Sequence, residues 1–447
     1  MSFARKYAIW FKRILPSPFS IALLLTCIVF FVAWYNSEQS ASHLLKEWQE
    51  GLWNSNLLAF AFQMMLMLVL GYTLALTHFF ERIINTIIHP IKTNAQAAGL
   101  VALTTIIVAL FNWGLGLIFG AIIVRKIGEN FTLRKLELNY PLIGASGYVG
   151  LMVWHGGISG SALAKAAENN HIQQITQNSS LPDHISFSET VFSTMNLVTT
   201  VLLLLILPGV AYVLGRISKT QIPSIQTVKK EEKVESLSEG AERLDTSKII
   251  GKLVGIIGVV TAVYLAISAR NNLGFINPNY INFCLLSLNL MFHQNIRRFL
   301  QSVDQAIQGA SGILIQFPLY FGILALMQSG GLIESISQGF ITLSNTFTLP
   351  IYTFISAGIV NIFVPSGGGQ WALQGPIILD AANQLNVPLP KIILALAYGD
   401  QITNMLQPFW ALPLLSITGL KAKEILPYSL LFMLVGILIF ISVLIRF

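Results

Sequence analysis

The sequence predicts an all-α polytopic membrane protein built from two inverted repeats, each holding a re-entrant hairpin and a discontinuous transmembrane helix. Three observations lead there. Of 447 residues, 54% are hydrophobic and 11% charged, against about 25% charged in soluble globular domains. Two long apolar stretches are interrupted by glycine clusters, "FNWGLG" at 111–116 and "VPSGGGQ" at 364–370. Glycine costs a helix interior about 1 kcal/mol and proline about 3, so these clusters mark backbone expected to leave the helix. The interruptions also recur in one order in both halves of the chain, hairpin first and broken helix second.

A span needs about 20 mostly apolar residues, and the Lys/Arg bias of loops orients it. Arg5, Lys6, Lys12 and Arg13 place the N-terminus in the cytoplasm. The apolar run that follows is longer than a signal-peptide core and lacks a small-residue cleavage site, so 17–35 reads as an uncleaved first span. Segment 36–56 is then external, 57–79 returns, and 80–94 lies on the inner surface. The stretch 95–126 is too long for one span and ends in Arg125 and Lys126, with Arg134 and Lys135 beyond. With both ends cytoplasmic it reads as a re-entrant hairpin turning at 112–116, which is tolerated only where it is buried in protein or lines a wet cavity. Segment 138–167, broken by "HGGISGS", is a discontinuous crossing helix; 169–190 is external, and 191–214 crosses back.

The charged stretch 216–246 mixes signs and lacks apolar periodicity, which marks a cytoplasmic linker after an N-terminal repeat over 1–215. A connecting span at 247–267 adds one crossing, so the C-terminal repeat over 276–447 is inverted. It comprises spans 276–293 and 306–328, a hairpin at 347–383, a broken helix at 390–418 interrupted by "GDQITNMLQP", and a last span at 426–445. Arg297, Arg298, Lys421 and Lys423 mark its cytoplasmic ends.

The formal charge of +7, from 27 Lys and Arg against 20 Asp and Glu, resides in short loops, where it sets orientation rather than holding nucleic acid. Cys27 and Cys284 sit in apolar runs as small hydrophobes, so neither a disulfide framework nor a thiolate metal site is indicated. His43, His171 and His184 lie in polar loops. No His, Cys and carboxylate cluster has metal-ligand spacing, so no metal or cofactor is assigned. "GGISGSA" lacks the strand-turn-helix context of a hydrolase serine, which argues against an enzyme.

A helix ending at mid-membrane leaves N–H groups and partial positive charge at its N-terminus, or carbonyls and partial negative charge at its C-terminus. The former favour a carboxylate or phosphate and the latter a cation. The substrate-binding candidates are therefore Asn112, Trp113, Gly114 and Gly116 at the first tip and His155, Gly156, Gly157 and Ser159 at the first break. The second tip adds Pro365, Ser366, Gly367, Gly368, Gly369 and Gln370, with Gly368 expected to tolerate no β-carbon. Close helix packing is the competing account of small residues, and for "GASGYVG" at 144–150 both accounts stand. Burying an ionisable group at the bilayer centre costs several kcal/mol unless it is paired or wet. Asp400 and His155 are the clearest cases, either as structural hydrogen-bonding groups or as coupling groups. Asp400 would take up a proton or share a sodium ion with Thr403, Asn404 and Asn361. Lys165, Glu168, Asp380 and Lys391 lie nearer the interfaces and are read as snorkelling.

The motifs "FVPSGGGQWALQGPI" and "GDQITNMLQPFWALPLL", with "NWGLGLIFGA" and "HGGISGSA", resemble the bacterial short-chain fatty acid transporters of the AtoE type over nearly the whole chain. The resemblance implies uptake of acetoacetate, butyrate and similar monocarboxylates across the inner membrane. It also implies membership of the ion-transporter superfamily of inverted-repeat, hairpin-bearing carriers, commonly homodimers that move substrate by an elevator motion. Accumulating an anion against an inside-negative potential calls for a co-transported cation, proton or sodium. The chain lacks the paired Ser-Asn-Thr tips of the dicarboxylate carriers, so their sodium sites are not carried over. The alternatives are a carrier of another small organic anion, such as a dicarboxylate or sugar acid, an anion channel, or a non-transporting scaffold.

Overall fold

The computed structural model describes residues 17–447 apart from 177, 224, 226–239, 270–274, 276 and 365–366. Among the described residues the regular structure is helical, with an isolated bridge between Leu138 and Gln221. The basic residues Arg5, Lys6, Lys12 and Arg13, the middle of the 216–246 linker, and Pro365 and Ser366 lie outside the described residues.

Local chemistry starts and stops the helices of the first half. α1 (Pro18–Asn36) opens with proline in its first turn, where the missing N–H is no loss. α2 (Ala41–Leu52) occupies the segment expected to be an external loop, and Asn54 caps the following α3 (Ser55–Ala75). α4 (His78–Ile88) is amphipathic, with Ile84 and Ile88 buried. A Thr93–Gln96 capping box opens α5 (Asn94–Phe111). The chain then reverses at one residue. Asn112 is extended (φ −151°, ψ 124°), and its side chain caps α6 (Trp113–Leu133) by accepting the Leu115 N–H at 3.0 Å. The two arms press together at Gly116, where a β-carbon would come within 2.6 Å of Ala109 Cα. The return arm runs on to Leu133, past the expected 126. α7 (Tyr140–Tyr148) unwinds into 3-10 turns at Val149–Met152 and Trp154–Gly156, passes an extended Gly157, and resumes as α8 (Ser161–Ala166). Short α9 (His171–Thr176) and long α10 (Thr194–Ile217) complete this half.

In the second half, α11 (Lys248–Ser268) and α12 (Pro278–Phe292) are followed by amphipathic α13 (Ile296–Ala306). α14 (Ser311–Ser329) and α15 (Leu332–Ile341) meet at a 60° bend. Gly331 supplies the left-handed conformation (φ +63°) that this bend needs. α16 (Leu349–Phe363) and α17 (Gly367–Gln384) flank residues 365–366, and Gln370 Nε2 donates to the Ala357 carbonyl at 2.9 Å to tie the two arms. α18 (Leu389–Ile402) gives way to a 3-10 turn at Thr403–Leu406 and an extended Gln407 before α19 (Pro408–Thr418) and α20 (Ala422–Arg446).

The glycines correct one expectation. Gly367, Gly368 and Gly369 do not leave the helix but form the first turn of α17, and Gly114 and Gly116 lie inside α6. In a first turn the N–H groups lack intrahelical partners in any case, so glycine there exposes backbone without costing a hydrogen bond. The small residues of "GASGYVG" pack: β-carbons on Gly144, Gly147 and Gly150 would meet Leu420, Val124 and Ala109 respectively.

α1 to α3 and α11 to α14 pack as one group of helices, and α5 to α10 with α15 to α20 as a second. Polar ties hold each group internally, for example Asn289 Nδ2 to the Leu70 carbonyl in the first and Asn404 Nδ2 to the Leu151 carbonyl in the second. The seam between them is mainly apolar. Phe317 stacks on Phe409 with centroids 3.9 Å apart, and Met67 abuts Gly114. Asn36 to Ser335 is a polar exception. Helices α1, α5, α10, α11 and α20, and the run Ala41–Ala75, are long and apolar enough to cross a bilayer, and α11 exposes Ile249, Leu253, Val260 and Tyr264. The chain is a multi-pass membrane protein.

Candidate functional site

The two helix breaks meet at the centre of the second group. Tyr148 donates its hydroxyl to the carbonyls of Asn404 (2.8 Å) and Gln407 (3.0 Å), and the His155 amide donates to Gln401 Oε1 at 2.8 Å. This junction brings His155 to Asp400, with Nδ1 to Oδ2 at 2.5 Å and side-chain exposures of 0% and 2%. Both atoms lack an aligned hydrogen bond, so the contact is close without being a linear bond. The Ala162 amide donates to His155 Nε2 at 2.9 Å. That nitrogen must therefore present its lone pair, which assigns the ring proton to Nδ1, facing the carboxylate. The imidazole so assigned is neutral and turns its N–H towards the buried Asp400 carboxyl.

The first turn of α17 closes over this pair. A β-carbon on Gly367 would stand 2.9 Å from Asp400 Oδ2, 3.0 Å from His155 Cε1 and 3.1 Å from Trp154 Cη2. The helix N-terminus, with its partial positive charge, thus faces the carboxylate across a gap that only glycine leaves open. Gly368 differs from expectation: it is exposed, and nothing lies within 4 Å of where its β-carbon would be. Gln370 is fully buried and donates its amide N–H groups to the Ala357 carbonyl and Gln374 Oε1.

The first tip docks on the first break. The Trp113 amide donates to Ser159 Oγ at 3.1 Å, the Ile158 amide to the Leu110 carbonyl at 2.9 Å, and Gly157 lets that carbonyl approach. Gly156 presents its carbonyl to Asn196 Nδ2 at 2.8 Å. Trp154, passed over in the sequence as an apolar residue, links the two tips. Its ring stacks on His155 (4.4 Å, 7°) and lies 5.8 Å from Trp113, which in turn lies 5.1 Å from Trp410.

Asn361, Thr403 and Asn404 form a cluster one turn beyond Asp400. Asn361 Nδ2 donates to Thr403 Oγ1 (3.0 Å) and Asn404 Oδ1 (2.9 Å), and Gln407 Nε2 donates to the Asn361 carbonyl. Asn361 Oδ1 and Gln407 Oε1 are buried without a partner among the described residues. The cluster binds α16 to the second break. Among the described residues, no group of three or more His, Cys, Asp and Glu is placed to hold a metal ion.

At the loop side of α17, Trp371 Nε1 donates to His171 Nε2 at 2.9 Å. Burial lowers the His171 pKa below its ordinary 6.5, with Glu168 opposing and Lys165 adding to the shift. Neither residue stood out in the sequence, where His171 reads as a loop histidine.

Comparison with known proteins places these observations in a family. Residues 2–447 match the model described as short chain fatty acid transporter. A protein of Escherichia coli (strain K12), described as a short-chain fatty acid transporter, is 34% identical over 437 residues, covering 96% of each chain. One from Haemophilus influenzae (strain ATCC 51907 / DSM 11121 / KW20 / Rd), under the same description, is 33% identical over 429 residues, covering 94% of this chain and 93% of the other. Among solved structures, the chain is similar to Neisseria gonorrhoeae MtrF, whose report speaks of a class of antimetabolite efflux pumps (14% identity, 98% and 97% coverage, TM-score 0.44). It is also similar to the Alcanivorax borkumensis YdaH transporter (12% identity, 95% and 97% coverage, TM-score 0.46).

Proposed function

The chain belongs to the short chain fatty acid transporter family, and we propose that it imports short monocarboxylates by proton symport, with His155 and Asp400 holding the coupled proton. The observation that carries this reading is the buried 2.5 Å pair of one acid and one base facing the N-terminus of α17.

A substrate carboxylate attracted to that helix end comes close to the Asp400 carboxylate. Two such charges about 5 Å apart repel by about 3 kcal/mol at an effective dielectric constant near 20, roughly a hundredfold in affinity. Protonation of Asp400 removes the repulsion, so substrate and proton bind together or hardly at all. The proton also cancels the substrate's charge. An anion entering an inside-negative cell works against about 2.3 kcal/mol per 100 mV, and a neutral pair of substrate and proton does not.

The rest of the reading follows the family resemblance and the packing. The second group of helices slides against the first in an elevator-type movement, favoured by an apolar seam with few directional ties. The hairpins at α5–α6 and α16–α17 are re-entrant from opposite faces of inverted repeats. The carrier is a homodimer of the inner membrane, with its N-terminus and the 216–246 linker cytoplasmic. A cysteine introduced in 169–190 is then labelled in intact cells, and one in the linker is spared.

The unpartnered oxygens of Asn361 and Gln407 favour a second reading, sodium bound beside Asp400. Labelled acetoacetate uptake with sodium removed separates the two: proton symport persists under a pH gradient alone, and sodium symport stops. Competition by dicarboxylates and sugar acids tests the neighbouring substrate classes.

A further inference from the structure

The seam carries a cluster of aromatic rings that the coupling pair does not account for. Trp113 of the first tip, Trp154 of the first break and Trp410 of α19 converge. Phe60 of α3 faces them, with centroids 6.0 Å from Trp113, 6.4 Å from Trp410 and 6.3 Å from Phe317 of α14. Two of these residues, Trp154 (4% exposed) and Trp410 (6% exposed), have indole N–H groups that are buried without a partner among the described residues. Buried indole N–H groups ordinarily find an acceptor, and leaving one unpaired is costly. The cluster thus combines apolar rings with two unused donors beside the tip of α17, through the stacking of Trp154 on His155. A short-chain monocarboxylate presents the complementary surfaces, an acceptor head and a small apolar tail.

We infer that Phe60, Phe317, Trp113, Trp154 and Trp410 form the binding chamber for the substrate, the indole N–H groups of Trp154 and Trp410 holding its carboxylate and the Phe60–Phe317 wall setting the length of its alkyl chain. This inference rests on the transport reading above and names its substrate determinant. Chain length is read by the first group of helices and the head group by the second, so the seam is a selectivity surface as well as a sliding one.

The test is uptake of a homologous series of straight-chain acids, acetate to octanoate, by purified protein in liposomes, with protein-free vesicles subtracted. Phe60→Ala enlarges the chamber and is expected to move the preferred acid to a longer chain, changing the ratio of long to short acids by about tenfold or more. Phe60→Trp is expected to move it the other way, and Phe317→Leu substitutes for Phe60→Ala if that variant does not insert. Trp410→Phe keeps an aromatic ring, smaller than the indole, and removes the donor; KM is expected to rise about tenfold or more for every acid with the length profile unchanged. The inference is overturned if the Phe60 variants scale all acids equally, or if Trp410→Phe leaves every KM unchanged. If the parent protein carries none of the acids, it is the transport reading that fails.

Discussion

Nδ1 of His155 lies 2.5 Å from Oδ2 of Asp400, and the Ala162 amide on the opposite ring nitrogen sets the direction in which the imidazole proton points. His155 lies in the first break and Asp400 in the last helical turn before the second, so the pair exists only while the two segments are joined. Asp400→Asn reproduces the shape of the protonated acid and cannot lose its proton. Accumulation driven by a pH gradient is expected to fall to the level of protein-free vesicles, while exchange of labelled for unlabelled substrate continues. Simultaneous loss of exchange would point to the sodium reading, and unchanged accumulation to a structural role for Asp400.

Neighbouring glycines at the α17 tip are expected to respond in opposite ways. Gly367→Ala puts a methyl group 2.9 Å from Asp400 Oδ2 and 3.0 Å from His155 Cε1. Overpacking of this kind costs about 1–3 kcal/mol, and uptake is expected to drop by about tenfold or more. Gly368→Ala meets open space and is expected to transport like the parent. Uptake assays on both variants, normalised to inserted protein, make the comparison; equal effects would place the tip differently.

The Trp371–His171 hydrogen bond makes a prediction about pH. The indole N–H needs the unprotonated Nε2, and burial already lowers the pKa of His171 below 6.5. The folded state thus favours the neutral ring. Its contribution to stability is complete above about pH 6.5 and is lost as pH falls through the lowered value. Melting temperature in detergent is expected to decline on acidification, and His171→Gln, which keeps an acceptor but does not titrate, is expected to flatten that decline. An unaltered pH profile in the variant would show that His171 does not set the acid sensitivity.

Sliding at the seam is expected to be blocked by tying Phe317 to Phe409, whose rings stack at 3.9 Å. With Cys27 and Cys284 replaced by serine, a short bifunctional thiol reagent on Phe317→Cys/Phe409→Cys should abolish the uptake that the unlinked double variant shows, and a cleavable version should restore it to that level. Full activity of the cross-linked protein would exclude relative movement there.

Much of this architecture is legible in the sequence because spans and interruptions are local patterns. Apolar runs give α1, α5, α10, α11 and α20, and glycine clusters mark where α5–α6 and α16–α17 reverse. The shorter amphipathic helices α2, α4 and α13 stay hidden, since at 11 or 12 residues each is too short to read as a span. His155 and Asp400 each look anomalous alone, but their pairing does not show: the adjacent tie from His155 to Gln401 spans a separation of 246 residues, and no local pattern encodes it. Trp154 and Trp410 pass for ordinary membrane aromatics, because only the assembled structure reveals that their N–H groups lack partners.

Proton-coupled monocarboxylate import through the His155–Asp400 pair is tested by the initial rate of labelled acetoacetate uptake by proteoliposomes under an imposed inward proton gradient with sodium absent, compared between the parent protein and Asp400→Asn, with protein-free vesicles subtracted. The parent is expected to accumulate substrate uphill until the gradient is dissipated, and the variant not at all. Accumulation that requires sodium, or that the variant retains in full, would contradict that coupling.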